Sequence, residues 1–267
     1  MKSFFNSLTE TRWGIIVICI FSAALLIFLS CALYRQFFKR FYDVVLSFTA
    51  IIVFSPLLIL LMISGSIAMR GNPFFVQKRP GKKDGNGNEK IFSMIKFRTM
   101  SNKKDAYGNL LPDEMRLNKY GKFLRSSSLD ELSELFNILK GDMSIVGPRP
   151  QLVKDMYFMS DEQRNRHNVR PGLTGLAQVN GRNSVSWEDK LKMDLEYVND
   201  ISFFKDVAIV FKTFFKVIKR SGVVREGTVS DIDYGDWLLS KSEITQEEYD
   251  EKLLKAKKRL SEGKKQV

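Results

Sequence analysis

Apolar and polar positions divide this chain unevenly: two long uncharged runs fill its first quarter, and from residue 70 onward the pattern is short-period and heavily charged. Trp13 to Tyr34 carries no charged residue. At about 1.5 Å per residue such a helix reaches about 33 Å, enough to cross a hydrocarbon core of about 30 Å. It reads as a transmembrane helix; a cleaved signal peptide is the weaker alternative, since no small-x-small site precedes the basic cluster at Arg35, Lys39 and Arg40. The second run, Val44 to Met69, is interrupted by Ser55-Pro56, where proline removes a backbone donor. Each arm, about 17 to 20 Å as a helix, is too short to span alone. Basic residues flank both ends, Arg35, Lys39 and Arg40 before and Arg70, Lys78 and Arg79 after, and such flanks belong on the cytoplasmic side. The pattern favours a re-entrant helical hairpin over a kinked span. The backbone group freed near Ser55 needs a partner, for which the Ser55 hydroxyl is at hand.

Further on, Phe74 to Arg79 and Ile91 to Arg98 are β-rich runs separated by Gly, Pro and Asn, which predicts a hairpin with Lys96 at a strand end. Met115 to Leu124 predicts a short helix, and Leu129, Leu132, Leu135, Phe136 and Leu139 line one face of another that starts at Leu129. The segments 141–150 and 170–183 read as irregular, rich in Gly and Pro and studded with arginine. Arg125, Arg149, Arg170 and Arg182 each sit beside residues that allow close backbone approach to a ligand. Phe203 to Lys219 is a basic amphipathic helix with two readings, a membrane-surface helix or a core helix with a solvated lysine edge. A linker follows Gly222, and Thr245 to about Leu260 forms a charged helix with a sparse stripe of Tyr249, Leu253, Leu254 and Ala256. The expected architecture is an α+β membrane protein. It comprises an N-terminal transmembrane segment (1–37), a re-entrant helix with a mainly helical catalytic domain and a small β-hairpin (38–223), and a linker with a charged helical tail (224–267).

The net charge of +12 asks for an anionic partner: nucleic acid, an acidic membrane face or a phosphate-rich substrate. Nucleic acid is the poorest fit, because the aromatic residues fall in apolar helical and strand patterns and not on a stacking platform. Cys19 and Cys31 both lie in the first apolar run, and His167 is the single histidine. Thiolate chemistry, disulfides and histidine-rich metal sites are therefore set aside, which leaves carboxylates and cations. They concentrate in Arg125-Ser-Ser-Ser-Leu-Asp130-Glu131-Leu. Ser128 and Glu131 there have the spacing of a capping box at a helix start. The same residues suit phosphoryl transfer, with arginines holding phosphate oxygens, carboxylates binding Mg²⁺, and one carboxylate attacking phosphorus.

The order of motifs resembles the bacterial sugar transferase family, the monotopic polyprenol-phosphate phosphoglycosyltransferases. It runs from Lys39-Arg-Phe-Tyr-Asp43 through Ser55-Pro56, Gln77-Lys-Arg-Pro-Gly81, Lys96-Phe-Arg-Thr-Met100, the Asp130-Glu131 pair and Gly147-Pro-Arg149-Pro to the segment from Arg170 to Arg182. The resemblance spans about 38–223. It implies transfer of a sugar 1-phosphate from a UDP-sugar to undecaprenyl phosphate at the cytoplasmic face of a bacterial inner membrane, opening the assembly of a lipid-linked glycan such as an exopolysaccharide. Asp130 would be the nucleophile, Glu131 would help place Mg²⁺ or the lipid phosphate, Arg125 and Arg149 would hold phosphates, and Lys96 and Arg182 would touch phosphate or nucleotide. The alternative is a non-catalytic membrane scaffold. In either case the tail helix is a candidate surface for a homodimer or for partner glycosyltransferases.

Overall fold

In the computed structural model, which describes residues 12–181, 185–219 and 232–262, both apolar runs are helical; the side chains of Arg12, Trp13, Ala23, Leu26, Ile27, Ser30, Cys31 and Glu262 fall outside the description. Helix α1 is Arg12–Ala32, a π-helical turn covers Tyr34–Phe38, and α2 (Lys39–Val53) and α3 (Ser55–Met69) follow. Pro56 has no N–H to offer the carbonyl four residues back, that of Ile52. The Ser55 hydroxyl donates to that oxygen instead, at 2.8 Å. The chain bends by 65° at this break, and the two arms together are long and apolar enough to enter a membrane; no single helix among the described residues meets that test alone.

Strands β1 (Phe74–Lys83) and β2 (Glu89–Phe97) form the expected antiparallel hairpin, with Phe75 opposite Lys96 and Arg79 opposite Phe92. Its turn is set by Asp84, whose Oδ1 accepts the N–H groups of Asn86 and Asn88. The helix expected over 115–124 is instead two pieces, α4 (Asp113–Arg116) and α5 (Lys119–Ser127), because Leu117 is extended and Asn118 caps a new start by accepting from Gly121 N–H. Helix α6 (Glu134–Lys140) lies across β2. Ser133 Oγ donates to Ile95 O, while Asn137 donates to Ser93 O and accepts from Ile95 N–H. Leu135 and Ile138 pack with Met143 on Phe92 and Met94.

The segments read as irregular contain a second sheet. Strand β3 (Ser144–Val146) pairs in parallel with β4 (Gly172–Thr174). The glycines there serve backbone against backbone and not a ligand: a Cβ on Gly172 would lie 2.1 Å from the nitrogen of Gly147. Arg170 likewise acts as a staple, its Nε donating to Gly141 O. The remaining elements are α7 (Val153–Met156), a 3-10 turn over Gln163–Asn168, α8 (Leu176–Asn180), α9 (Trp187–Asn199), α10 (Phe203–Ile218), α11 (Tyr234–Ser240) and α12 (Gln246–Glu262).

Basic residues read as a membrane flank turn out to join α2 to the domain. Arg40 donates to the carbonyls of Ile138 and Leu139 at the end of α6, where a cation also meets the helix dipole. Lys39 bonds Asp206 and Val146 O, and Asp43 accepts from Ser144 Oγ and Ile145 N–H. Helix α10 buries Asp206 and Ile209 but leaves Phe204, Phe211, Phe214, Phe215 and Ile218 exposed, so the core-helix reading does not hold. The tail is packed. Tyr234 and Leu238 share a cluster with Phe158, Met159, Trp187 and Leu191, against which Tyr249 and Leu253 of α12 also rest. Leu254, expected in that stripe, is exposed.

Asn137→Ala would strand Ile95 N–H and Ser93 O in a buried interface. The expected loss is about 2 to 4 kcal/mol of stability, read as a lowered Tm of the protein in nanodiscs. A Tm unchanged from the parent would show that β2 is not pinned through Asn137.

Candidate active site

The carboxylate turn begins with a backbone reversal. Ser128 has φ 56° and ψ 19°, which ends α5 and opens a 3-10 turn over Leu129–Glu131. A non-glycine residue in this region is strained by roughly 1 kcal/mol, a device found where structure is held for function. Ser128 makes no side-chain cap, so the capping box is not formed, and α6 begins only at Glu134. Glu131 is turned away from the backbone towards cations. Its Oε1 receives Lys96 Nζ at 2.9 Å and Arg149 Nη2 at 3.1 Å. Lys96 also pairs with Glu134 at 3.0 Å.

Glu134 escaped the sequence reading, and only its spacing of three residues from Glu131 hinted at it. In a tight turn that spacing puts two side chains on one side, where a single lysine reaches both. Its burial, to 3 % exposure, is the cost that Lys96 offsets. Asp130 differs: among the described residues it makes no hydrogen bond or ion pair, and it meets Lys96, Arg149 and Arg125 only through the field.

Burial, and then the neighbouring Glu131 charge, push the Asp130 carboxyl up to about 6, against the pull of Lys96, Arg149 and Arg125. Burial pushes Glu134 up to about 7; Lys96 pulls it down and Glu131 pushes it further up. Burial alone would lower Lys96, but Glu131 and Glu134 outweigh it and hold the ammonium above its usual range. Glu131 does the same for Arg149. Arg125 is lowered by burial and gives its Nε to Thr99 Oγ1 at 3.1 Å.

Arg149 is positioned through its main chain. The buried Arg166, paired with Asp194 at 2.7 Å, donates to Arg149 O at 2.6 Å. The structure thus gathers Lys96, Arg125, Asp130, Glu131 and Arg149 around one turn, adds Glu134, and leaves Arg170 outside. Arg182 lies outside the described residues. His167 is buried beside Glu89 and Arg166, and burial lowers it to about 4, so it is neutral at pH 7. Ser55 and Pro56 belong to the helix break.

No group of three or more His, Cys, Asp or Glu side chains among the described residues is arranged to hold a metal. The donors at the turn do not make a resident cage, because Glu131 is already bonded to two cations. They suit Mg²⁺ in its common mode, in which one or two carboxylates share the ion with substrate phosphates and water.

Residues 34–220 match the family model described as bacterial sugar transferase. The chain is 47 % identical over 161 residues to the uncharacterised sugar transferase EpsL of Bacillus subtilis, covering 60 % of this chain and 77 % of that protein. It is 35 % identical over 205 residues to the undecaprenyl-phosphate galactose phosphotransferase of Salmonella typhimurium, covering 70 % and 42 %. It is 37 % identical over 193 residues to the UDP-glucose:undecaprenyl-phosphate glucose-1-phosphate transferase of Klebsiella pneumoniae, covering 67 % and 40 %. The chain therefore spans about two fifths of the length of the last two.

Lys96→Met would leave Glu131 and Glu134 facing each other with one cation fewer, at an expected cost of about 3 kcal/mol at pH 8. Glu134 has a folded-state pKa above its unfolded one, so its contribution to stability is full at low pH and is lost as the pH rises through about 7. The deficit of the variant should therefore shrink at pH 5.5, and Glu134→Gln in the same chain should recover most of it. Thermal unfolding at both pH values measures this; a deficit equal at both, unrelieved by the second substitution, contradicts the arrangement.

Proposed function

The chain belongs to the bacterial sugar transferase family, and from that membership we propose that it transfers a sugar 1-phosphate from a UDP-sugar to undecaprenyl phosphate in exopolysaccharide or capsule assembly. The observation that carries the reading is the division of labour at the turn: Glu131 and Glu134 are tied down by Lys96 and Arg149, while among the described residues nothing bonds the Asp130 carboxylate. In the proposed reaction an Asp130 oxygen attacks the β-phosphorus of the donor. The bond to the bridging oxygen breaks and UMP leaves with that oxygen, so the phosphosugar stays on Asp130 as an acyl phosphate. An oxygen of the lipid phosphate then attacks the same phosphorus, the acyl-phosphate bond breaks, and Asp130 returns as a carboxylate.

Arg149 and Arg125 oppose the repulsion between an anionic nucleophile and anionic substrates, and Lys96 keeps Glu131 and Glu134 from adding to it. Asp130 and Glu131 would hold Mg²⁺ with the help of the donor's phosphates, and the ion would further neutralise the charge that builds on the leaving group. A carboxylate raised to about 6 is ionised at pH 7 yet more basic than an ordinary aspartate, which suits a nucleophile.

The membrane arrangement follows the same reading. Helices α2 and α3 dip into the bilayer and return at the 65° break, and the catalytic domain lies on the cytoplasmic face. The exposed aromatic face of α10, with the exposed Lys212 and Lys219, rests on the anionic surface. That places the turn at the level of a lipid phosphate.

Purified protein in nanodiscs with undecaprenyl phosphate should release UMP from one member of a UDP-sugar panel when Mg²⁺ is present, and Asp130→Asn should reduce release to background. The rate should fall towards acid pH as Asp130, whose carboxyl burial raises above the usual aspartate range, takes up its proton. Release that persists in the variant would remove Asp130 from the reaction.

A further inference from the structure

Strand β1 carries a cation that the carboxylate turn does not use. Arg79 stands opposite Phe92 and Gln77 opposite Met94, so both lie on the face of the hairpin that also bears Lys96. Arg79 donates from Nη2 to Gln77 Oε1 at 2.6 Å. Its Nε is buried with no acceptor, and among the described residues no carboxylate pairs with it. Burial, and then repulsion from Arg149, lower the guanidinium to about 10, because Asp155, Glu134 and Asp233 offset only part of that. Each of those acids is committed elsewhere: Asp155 to the N–H groups of Leu152 and Tyr234, Asp233 to Lys154, and Glu134 to Lys96.

A half-buried arginine that has no counter-ion and whose Nε is buried without an acceptor is costly, and an anion delivered by a ligand removes that cost while making charge-assisted hydrogen bonds. We infer that Arg79, steadied by Gln77, is a further anion-binding residue of this site and takes an oxygen of the donor's diphosphate alongside Arg149. The identity of the ligand rests on the UDP-sugar reading; the need for an anion rests on the unpaired guanidinium alone. Nothing in the carboxylate turn requires Arg79 otherwise, since Lys96 and Arg149 already neutralise Glu131 and Glu134.

The probes are UDP, uridine and inorganic pyrophosphate, titrated by calorimetry into the full chain in nanodiscs, for the parent, Arg79→Gln and Arg79→Lys. UDP affinity should fall roughly 10- to 100-fold in the Gln variant and less in the Lys variant, with uridine binding unchanged. The ligand-free Tm of Arg79→Gln should rise, because an uncompensated charge is gone. UDP affinity equal to the parent in both variants, above all with a lowered Tm, would mark a structural arginine and overturn the inference. Pyrophosphate binding that depends on Arg79, in a chain that ignores UDP, would uphold the anion site and sink the UDP-sugar reading. Failure of the parent to bind either anion would overturn the inference as well.

Discussion

Asp130, Glu131 and Glu134 lie within five residues of chain and are brought into a partly dry patch, and that burial is the constraint on which the fold depends. Charges of one sign so close together cannot leave water unless cations from distant sequence meet them. Lys96 comes from the end of β2 and Arg149 from the loop after β3. Both supports are themselves braced. Ser133 and Asn137 pin β2 across α6, and Arg166 with Asp194 grips the carbonyl of Arg149. The same contacts that neutralise the acids thus fix the relative placement of the hairpin, α6 and the parallel pair of strands.

The membrane arm is tied to this assembly by polar bonds, not by apolar packing alone. Arg40 closes the C-terminal end of the helix that begins with Glu134, and Asp43 holds the first residues of β3. Lys39, Tyr34 and Tyr197 converge on Asp206 of α10. Any depth that α2 and α3 take in a bilayer is thereby passed to the carboxylate turn through short, directional links. Within the family reading this couples the height of the nucleophile to the height of a lipid phosphate.

Much of this was legible in the sequence where local chemistry decides the outcome. The Ser55-Pro56 break, its hydroxyl rescue, the hairpin and the Asp130-Glu131 pair follow from proline's missing donor, turn composition and charge spacing. What escaped depends on tertiary contacts. The capping box failed because Glu131 gains more from Lys96 and Arg149 than from a backbone N–H, and Ser128 adopts a left-handed conformation that no spacing announces. Strands of three residues at β3 and β4 are too short to show alternation, and their glycines read as turn formers. Glu134 looked like one acid among many on a helix. The charged tail, expected as an appended helix, packs through Tyr249 and Leu253 onto the cluster around Phe158 and Trp187, which sequence periodicity cannot reveal.

In the proposed reaction Asp130, the acid of the turn that has no direct partner among the described residues, forms a bond to phosphorus. The most direct test is intact and peptide mass spectrometry of the protein after incubation with its UDP-sugar and Mg²⁺ in lipid free of undecaprenyl phosphate. A mass increase of one sugar phosphate on the peptide bearing Asp130, discharged when the lipid phosphate is added, is the predicted result. An adduct on Glu131 or Glu134, or turnover in which no adduct ever forms on this turn, would contradict it.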